Sequence, residues 1–160
     1  MSSSSFLNLL PQTLQTKNGP RYTRDVLNGK KKVAMYFSAS WCSACVAFTP
    51  KLTQYYSNTG KIYGSNPVEI IWVSLEKDPQ KHNEYYQKMP WTALSQSDAA
   101  QMISLFGQSF DGSIPYLAIV DIDTSNIIDN DAYSKISNLV TSSGVNNPQE
   151  IAKLLDLWHR

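Results

Sequence analysis

The sequence predicts an α/β fold: a central mixed β-sheet flanked by helices on both faces. Apolar runs of strand length alternate with segments whose apolar residues recur every three or four positions. Their order of strand, helix, strand, helix, hairpin and final helix requires a parallel crossover in the first half. The chain is 160 residues long, enough to bury a core without a stapling metal or disulfide. No internal repeat divides it, so residues 1–160 read as a single domain whose first five residues form a mobile serine tail.

The run "KKVAMYFSAS" over residues 31–40 is too short for a typical helix and follows polar Asn28, Gly29 and Lys30, which makes it the first central strand. From Cys42 onward Ala44, Ala47, Phe48, Leu52 and Tyr55 fall on one helical face, predicting a helix to about residue 58, before Gly60. Pro50 lies inside that period, which continues on both sides, so a kink is expected rather than an end. "VEIIWVSLE", residues 68–76, is the second central strand, and Pro79 opens a helix carrying Tyr85, Tyr86 and Met89 that "MPW" breaks. Ser97 caps a helix with Ala100, Met102, Ile103 and Phe106, stopped by Gly107. "IPYLAIVDID" is a further strand, and "NIID" returns beside it through a turn at residues 123–126. Asn147 caps the last helix, Pro148 occupies its first position, and Ile151, Leu154, Leu155 and Trp158 form the stripe that covers the sheet.

Charge excludes some functions. Fourteen basic and 13 acidic residues give a net +1, with no basic run beyond Lys30, Lys31 and Lys32, so neither nucleic acid nor an anionic membrane is an expected partner. The N-terminus has no basic start followed by a long apolar centre, and no apolar run reaches spanning length, so a soluble cytoplasmic protein is expected.

The only two cysteines, Cys42 and Cys45, stand three residues apart in "YFSASWCSACVAFTP", where a strand feeds a helix. Free amides and the positive helix end favour a thiolate on Cys42, the predicted nucleophile. Cys45, one turn deeper on the same face, is the predicted resolving thiol. Cys42 attacks a substrate disulfide, and Cys45 then attacks Cys42 to release the reduced substrate. Zinc needs four ligands, and His82 and His159 lie in no finger-like spacing with the cysteines. Two further readings are an iron–sulfur cluster shared between two subunits, which a single pair per chain allows, and two inert core cysteines, which do not explain the tryptophan, the helix start and the spacing together.

The blocks "YFSASWCSACVAFTPKL", "VEIIWVSLEKD", "YYQKMPW" and "SIPYLAIVD" resemble, in order and interval, those of tryparedoxins and nucleoredoxins in the thioredoxin-like family. The resemblance covers about residues 27–128 and extends weakly into an N-terminal helix. It implies a thioredoxin-like fold and dithiol–disulfide exchange without a bound organic cofactor or metal. The implied partners are a disulfide-containing protein such as a peroxidase and a small dithiol, trypanothione in tryparedoxins, or a reductase as electron donor. Nucleoredoxins imply an alternative, a redox-gated binding module with weak or no turnover. Trp41 matches the family's contact tryptophan, and Trp91 a structural one. Pro115 matches the cis-proline facing the cysteines, which leaves the Ile114 backbone for a substrate strand.

Three departures from the family pattern stand out. Ser43 and Ala44 replace the usual Pro-Pro or Pro-Gly, which puts the redox potential in question. Val46 replaces an arginine or other polar residue, removing a charge that would attract an acidic thiol carrier. Glu76 falls at or next to the family's acidic position, which offers two readings: a partly buried carboxylate that takes the proton of Cys45, or a solvated charge at a strand end. Elsewhere, Asp121, Asp123 and Ser125 begin a calcium-like loop that lacks its glycine and its twelfth ligand and reads as a turn. His82 reads as a solvated side chain on a polar helix. The N-terminal helix and Trp158 are candidates for a self-association surface.

Overall fold

The computed structural model describes residues 5–139 and 147–159. Ser5 accepts the Leu7 amide and opens a 3-10 turn at Phe6–Asn8; the rest of the expected tail lies outside the described residues. The elements that follow are β1 (Thr13–Thr16), β2 (Gly19–Tyr22), α1 (Thr23–Val26), β3 (Lys32–Ser38), α2 (Ser43–Tyr63), β4 (Val68–Ser74) and α3 (Pro79–Tyr86). After them come β5 (Thr92–Ala93), α4 (Gln96–Phe106), β6 (Tyr116–Asp121), β7 (Ile127–Asp129), α5 (Ala132–Leu139) and α6 (Pro148–Trp158). Among the described residues seven strands form one mixed sheet in the order β2-β1-β5-β4-β3-β6-β7. β3 runs parallel to β4 and antiparallel to β6, with Tyr36 opposite Trp72 on one side and Leu117 on the other.

The central position of β3 explains its unbroken apolar run. Ala34 and Tyr36 face one layer with Phe48, Leu52 and Tyr55 of α2 and the stripe of α6, while Val33, Met35 and Phe37 face Met102 and Phe106 of α4. A strand covered on both faces cannot alternate apolar and polar residues. The two cores bracket the sheet, and the mixed sheet flanked by helices on both faces expected from the sequence is present.

Several elements differ from expectation. The N-terminal segment is the β1/β2 hairpin rather than a helix: Gly19 adopts φ 93, which suits a turn, and only Leu14 of β1 is buried. Helix α2 continues through Pro50 and past Gly60 to Tyr63, and ends where Gly64 takes φ 77. Helix α4 is capped by Ser95, whose hydroxyl accepts the Asp98 amide at 3.1 Å, so Ser97 lies inside the helix. The two-residue β5 follows "MPW" directly and pairs with β4.

His82 is buried, not solvated. Its ring stacks on Trp72 at 4.8 Å and its Nε2 meets Gln15 Oε1 at 3.1 Å, because the N-terminal hairpin lies against α3. Burial pushes its imidazole below the usual histidine range. The acidic turn after β6 is closed by its own contacts: Asp121 pairs with Lys32 at 3.0 Å and accepts the Thr124 amide. Trp158 is 2% exposed, so it is not a self-association surface.

Asp129 anchors the C-terminal elements. Its carboxylate accepts Trp158 Nε1 at 2.9 Å and the Asp131 amide at 2.8 Å, and pairs with Lys135 at 2.9 Å. Burial opposes the charge, yet the Lys135, Trp158 and Asp131 bonds outweigh it and hold the carboxyl below the usual aspartate range. With the folded value below the unfolded one, the stabilisation is complete above about pH 4 and is lost as pH falls through the folded value. Asp129→Asn is expected to cost about 1–3 kcal/mol at neutral pH. In urea melts its stability should fall less between pH 5 and pH 3 than that of the parent chain; equal losses would remove Asp129 as the source.

Candidate active site

The cysteine segment sits where β3 ends and α2 begins. Cys42 is the N-cap residue of α2, extended at φ −101 and ψ 111, and its sulfur accepts the Cys45 amide at 3.2 Å. Its carbonyl already receives the Val46 amide at 3.0 Å. The side chain is half-buried and meets a second contact from across the sheet, the Ile114 carbonyl at 3.7 Å. Ile114 and Pro115 are joined by a cis peptide bond, and the loop that carries them faces Cys42.

Cys45 is fully buried, and neither cysteine is in a disulfide. Burial first, and the hydrogen bond with the Cys42 side chain second, push its thiol up to about 12. One sulfur therefore reaches solvent at the positive end of a helix, and the other waits one turn deeper as a protonated thiol. Around them Ser43 and Ala44 are exposed, and Trp41 stands 64% exposed beside the pair. Trp91 is buried against Tyr36 and Tyr56.

Glu76 is buried at the end of the segment after β4, where its Oε2 accepts the Ser40 amide at 2.7 Å. Its own amide is bonded to Ser74 Oγ and its carbonyl receives Gln96 Nε2 at 3.0 Å. The carboxylate thus engages the loop that leads into the cysteines, not Cys45 itself.

Sequence reasoning did not single out a hydroxyl cluster behind Cys45. Thr49 Oγ1 donates to the Cys45 carbonyl at 3.0 Å and meets Tyr36 OH at 2.7 Å and Tyr85 OH at 2.8 Å. Thr49 lies four residues beyond Cys45, so the helical period placed it on that face, but Tyr85 arrives from α3 and carries no local signal. Trp72 Nε1 likewise donates to Ser38 Oγ at 3.0 Å, joining β4 to the end of β3. Among the described residues no three His, Cys, Asp or Glu side chains converge as metal ligands, and no helix is long and apolar enough to cross a membrane.

Comparison with known proteins gives one consistent result. A family model described as thioredoxin-like matches residues 29–127. Tryparedoxin of Trypanosoma brucei brucei is 36% identical over 107 residues, which cover 66% of this chain and 72% of that protein. Human nucleoredoxin is 32% identical over 116 residues, but the match takes up 26% of its length, so the chain resembles only one part of that larger protein. Among solved structures, tryparedoxin I of Crithidia fasciculata superposes with a TM-score of 0.73 at 28% identity, over 84% of this chain and 92% of that one. A tryparedoxin II in complex with glutathionylspermidine gives 0.74 at 28% identity, over 90% and 100%.

Proposed function

Because the chain belongs to the thioredoxin-like family, in its tryparedoxin and nucleoredoxin branch, we propose that it is a cytoplasmic thiol–disulfide oxidoreductase that reduces protein disulfides through Cys42 and Cys45. The observation that carries this reading is the division between the two sulfurs: Cys42 at the helix N-cap is accessible, and Cys45 is enclosed with its thiol held up at about 12.

The Cys42 thiolate attacks one sulfur of the substrate disulfide. A bond forms between Cys42 and that sulfur, the substrate S–S bond breaks, and the second substrate sulfur leaves as a thiolate that takes up a proton. Cys45 then gives up its proton and attacks Cys42, which closes the Cys42–Cys45 disulfide and releases the first substrate sulfur. The substrate gains two electrons and two protons, and the protein loses them. A small dithiol or a reductase restores the pair by the reverse exchange; the complex of a tryparedoxin II with glutathionylspermidine, a monothiol, supports a small-thiol donor. The protein substrate is a disulfide-bearing enzyme such as a peroxidase.

Trp41 supplies contact surface, and the Ile114 backbone beside Pro115 aligns the incoming strand. Ser43 and Ala44 set the geometry between the sulfurs. Glu76 acts as a positioning residue through the Ser40 amide rather than as the proton acceptor. Residues 1–160 work as one domain in this scheme.

A redox titration with alkylation of free thiols, counted by mass, tests the reading. A reversible two-electron transition at roughly −270 to −180 mV is expected. Failure to form a Cys42–Cys45 disulfide at any potential would sink it. The redox-gated binding module is the second reading, motivated by Ser43, Ala44 and the exposed Trp41; it gains if the disulfide forms but substrate turnover is absent.

A further inference from the structure

A groove of about 440 Å³ opens beside the cysteine segment, between the first half of α2 and the end of α3. It begins at Ser40, two residues before Cys42, and Val46, one residue after Cys45, forms its wall together with Pro50. Val46 is 48% exposed there, an apolar side chain that the protein itself leaves uncovered.

Apart from Ser40, the hydroxyls of the groove are already engaged. The Thr49 and Tyr85 hydroxyls are bonded to each other, Thr49 Oγ1 also donates to the Cys45 carbonyl, and Thr53 Oγ1 donates to the Thr49 carbonyl at 2.9 Å. An apolar side chain entering the groove therefore strips water from carbon rather than from unpaired hydroxyls. Pro50, inside the helix, has no amide to give to the Val46 carbonyl. Lys88 is the charged side chain among the described residues that line the groove and it is exposed; Glu84 stands four residues before it, with Oε1 accepting Gln80 Nε2 at 3.0 Å.

We propose that this groove reads the substrate: it takes an apolar side chain next to the reacting cysteine of a disulfide-bearing polypeptide and pairs Lys88 with a carboxylate just beyond it. The proposal rests on the exchange reading above, since Ser40 and Val46, which flank the cysteine pair in the chain and line the groove, are what place it beside the reacting bond. Val46 is a specificity residue in it, selecting an acidic-apolar protein segment over a small polar thiol carrier.

Single-turnover reduction by the pre-reduced full chain provides the test. The probes are three symmetric peptide disulfides whose cysteine is followed by Leu-Glu, Ser-Glu or Leu-Lys. The Leu-Glu peptide should react about tenfold faster than Ser-Glu. It should lead Leu-Lys by about threefold at low ionic strength, a gap that salt closes. Val46→Arg should erase the leucine preference, and Lys88→Glu should invert the charge preference. Equal rates for the three peptides overturn the proposal while leaving exchange intact. The same peptides with serine for cysteine, titrated at equilibrium, separate the alternatives: discrimination in binding without any exchange preserves the groove and removes the redox reading.

Discussion

Replacing Cys42 by serine is expected to lower protein-disulfide reduction by on the order of 10³-fold or more, because an alcohol at that position is not ionised and cannot displace a sulfur. Its sulfur is the one that reaches solvent and faces the Ile114 carbonyl. Cys45→Ser should behave differently, trapping a mixed disulfide between Cys42 and substrate that is visible as an added mass and released by an external thiol. The buried position of Cys45 adds a pH signature. Because its thiol is pushed up to about 12, resolution of the mixed disulfide by the unaltered pair should keep accelerating as pH rises through the neutral range and beyond. Turnover retained in Cys42→Ser would remove the mechanism, and a resolution rate flat from pH 6 to pH 9 would remove the role of the buried thiol.

The largest loss of stability is expected from Trp72→Ala. Trp72 lies fully buried in β4, stacks on His82 at 4.8 Å, and meets the Tyr85 ring edge-on at 5.5 Å. Truncation opens a cavity in the larger aromatic layer and costs about 3–5 kcal/mol. It also removes the indole bond to Ser38 Oγ at 3.0 Å, adding about 1 kcal/mol. Against a total of roughly 5–15 kcal/mol this is a large fraction, and a fall in Tm of about 10 °C or more follows. Trp72→Phe keeps most of the packing and loses the donor, so its loss in urea melts should be well under half as large. If Trp72→Ala left the urea midpoint where it was, the interior role given to this residue would be wrong.

The parts legible in the sequence are those whose signal is local. β3, β4 and β6 are covered on both faces and show up as continuous apolar runs, and Pro79 and Pro148 start helices where expected, the second after the cap at Asn147. Cys42 could be placed at a helix start because the strand before it and the apolar period after it are both strong. What could not be read depends on distant partners. His82 looked solvated because its helix is polar, but Gln15 comes to it from 67 residues away. β5 has two residues, too few for any period, and exists because β4 offers it a parallel edge. Glu76 was found as an acidic residue near the site, yet its engagement with the Ser40 amide depends on how two strand ends are brought together.

The outer strand β2 has a consequence for the molecule in concentrated solution. Among the described residues it is an outer margin of the sheet, four residues long and exposed throughout, and it carries Pro20, which has no amide to offer, followed by the charge of Arg21. At the opposite margin β7 is only three residues long. Long, flat margins recruit further strands and seed fibrils, whereas short ones interrupted by proline and charge resist it. Backbone recruitment is thereby discouraged at both rims of the sheet, and the protein can expose an apolar tryptophan at its working end without inviting copies of itself to stack along its sides.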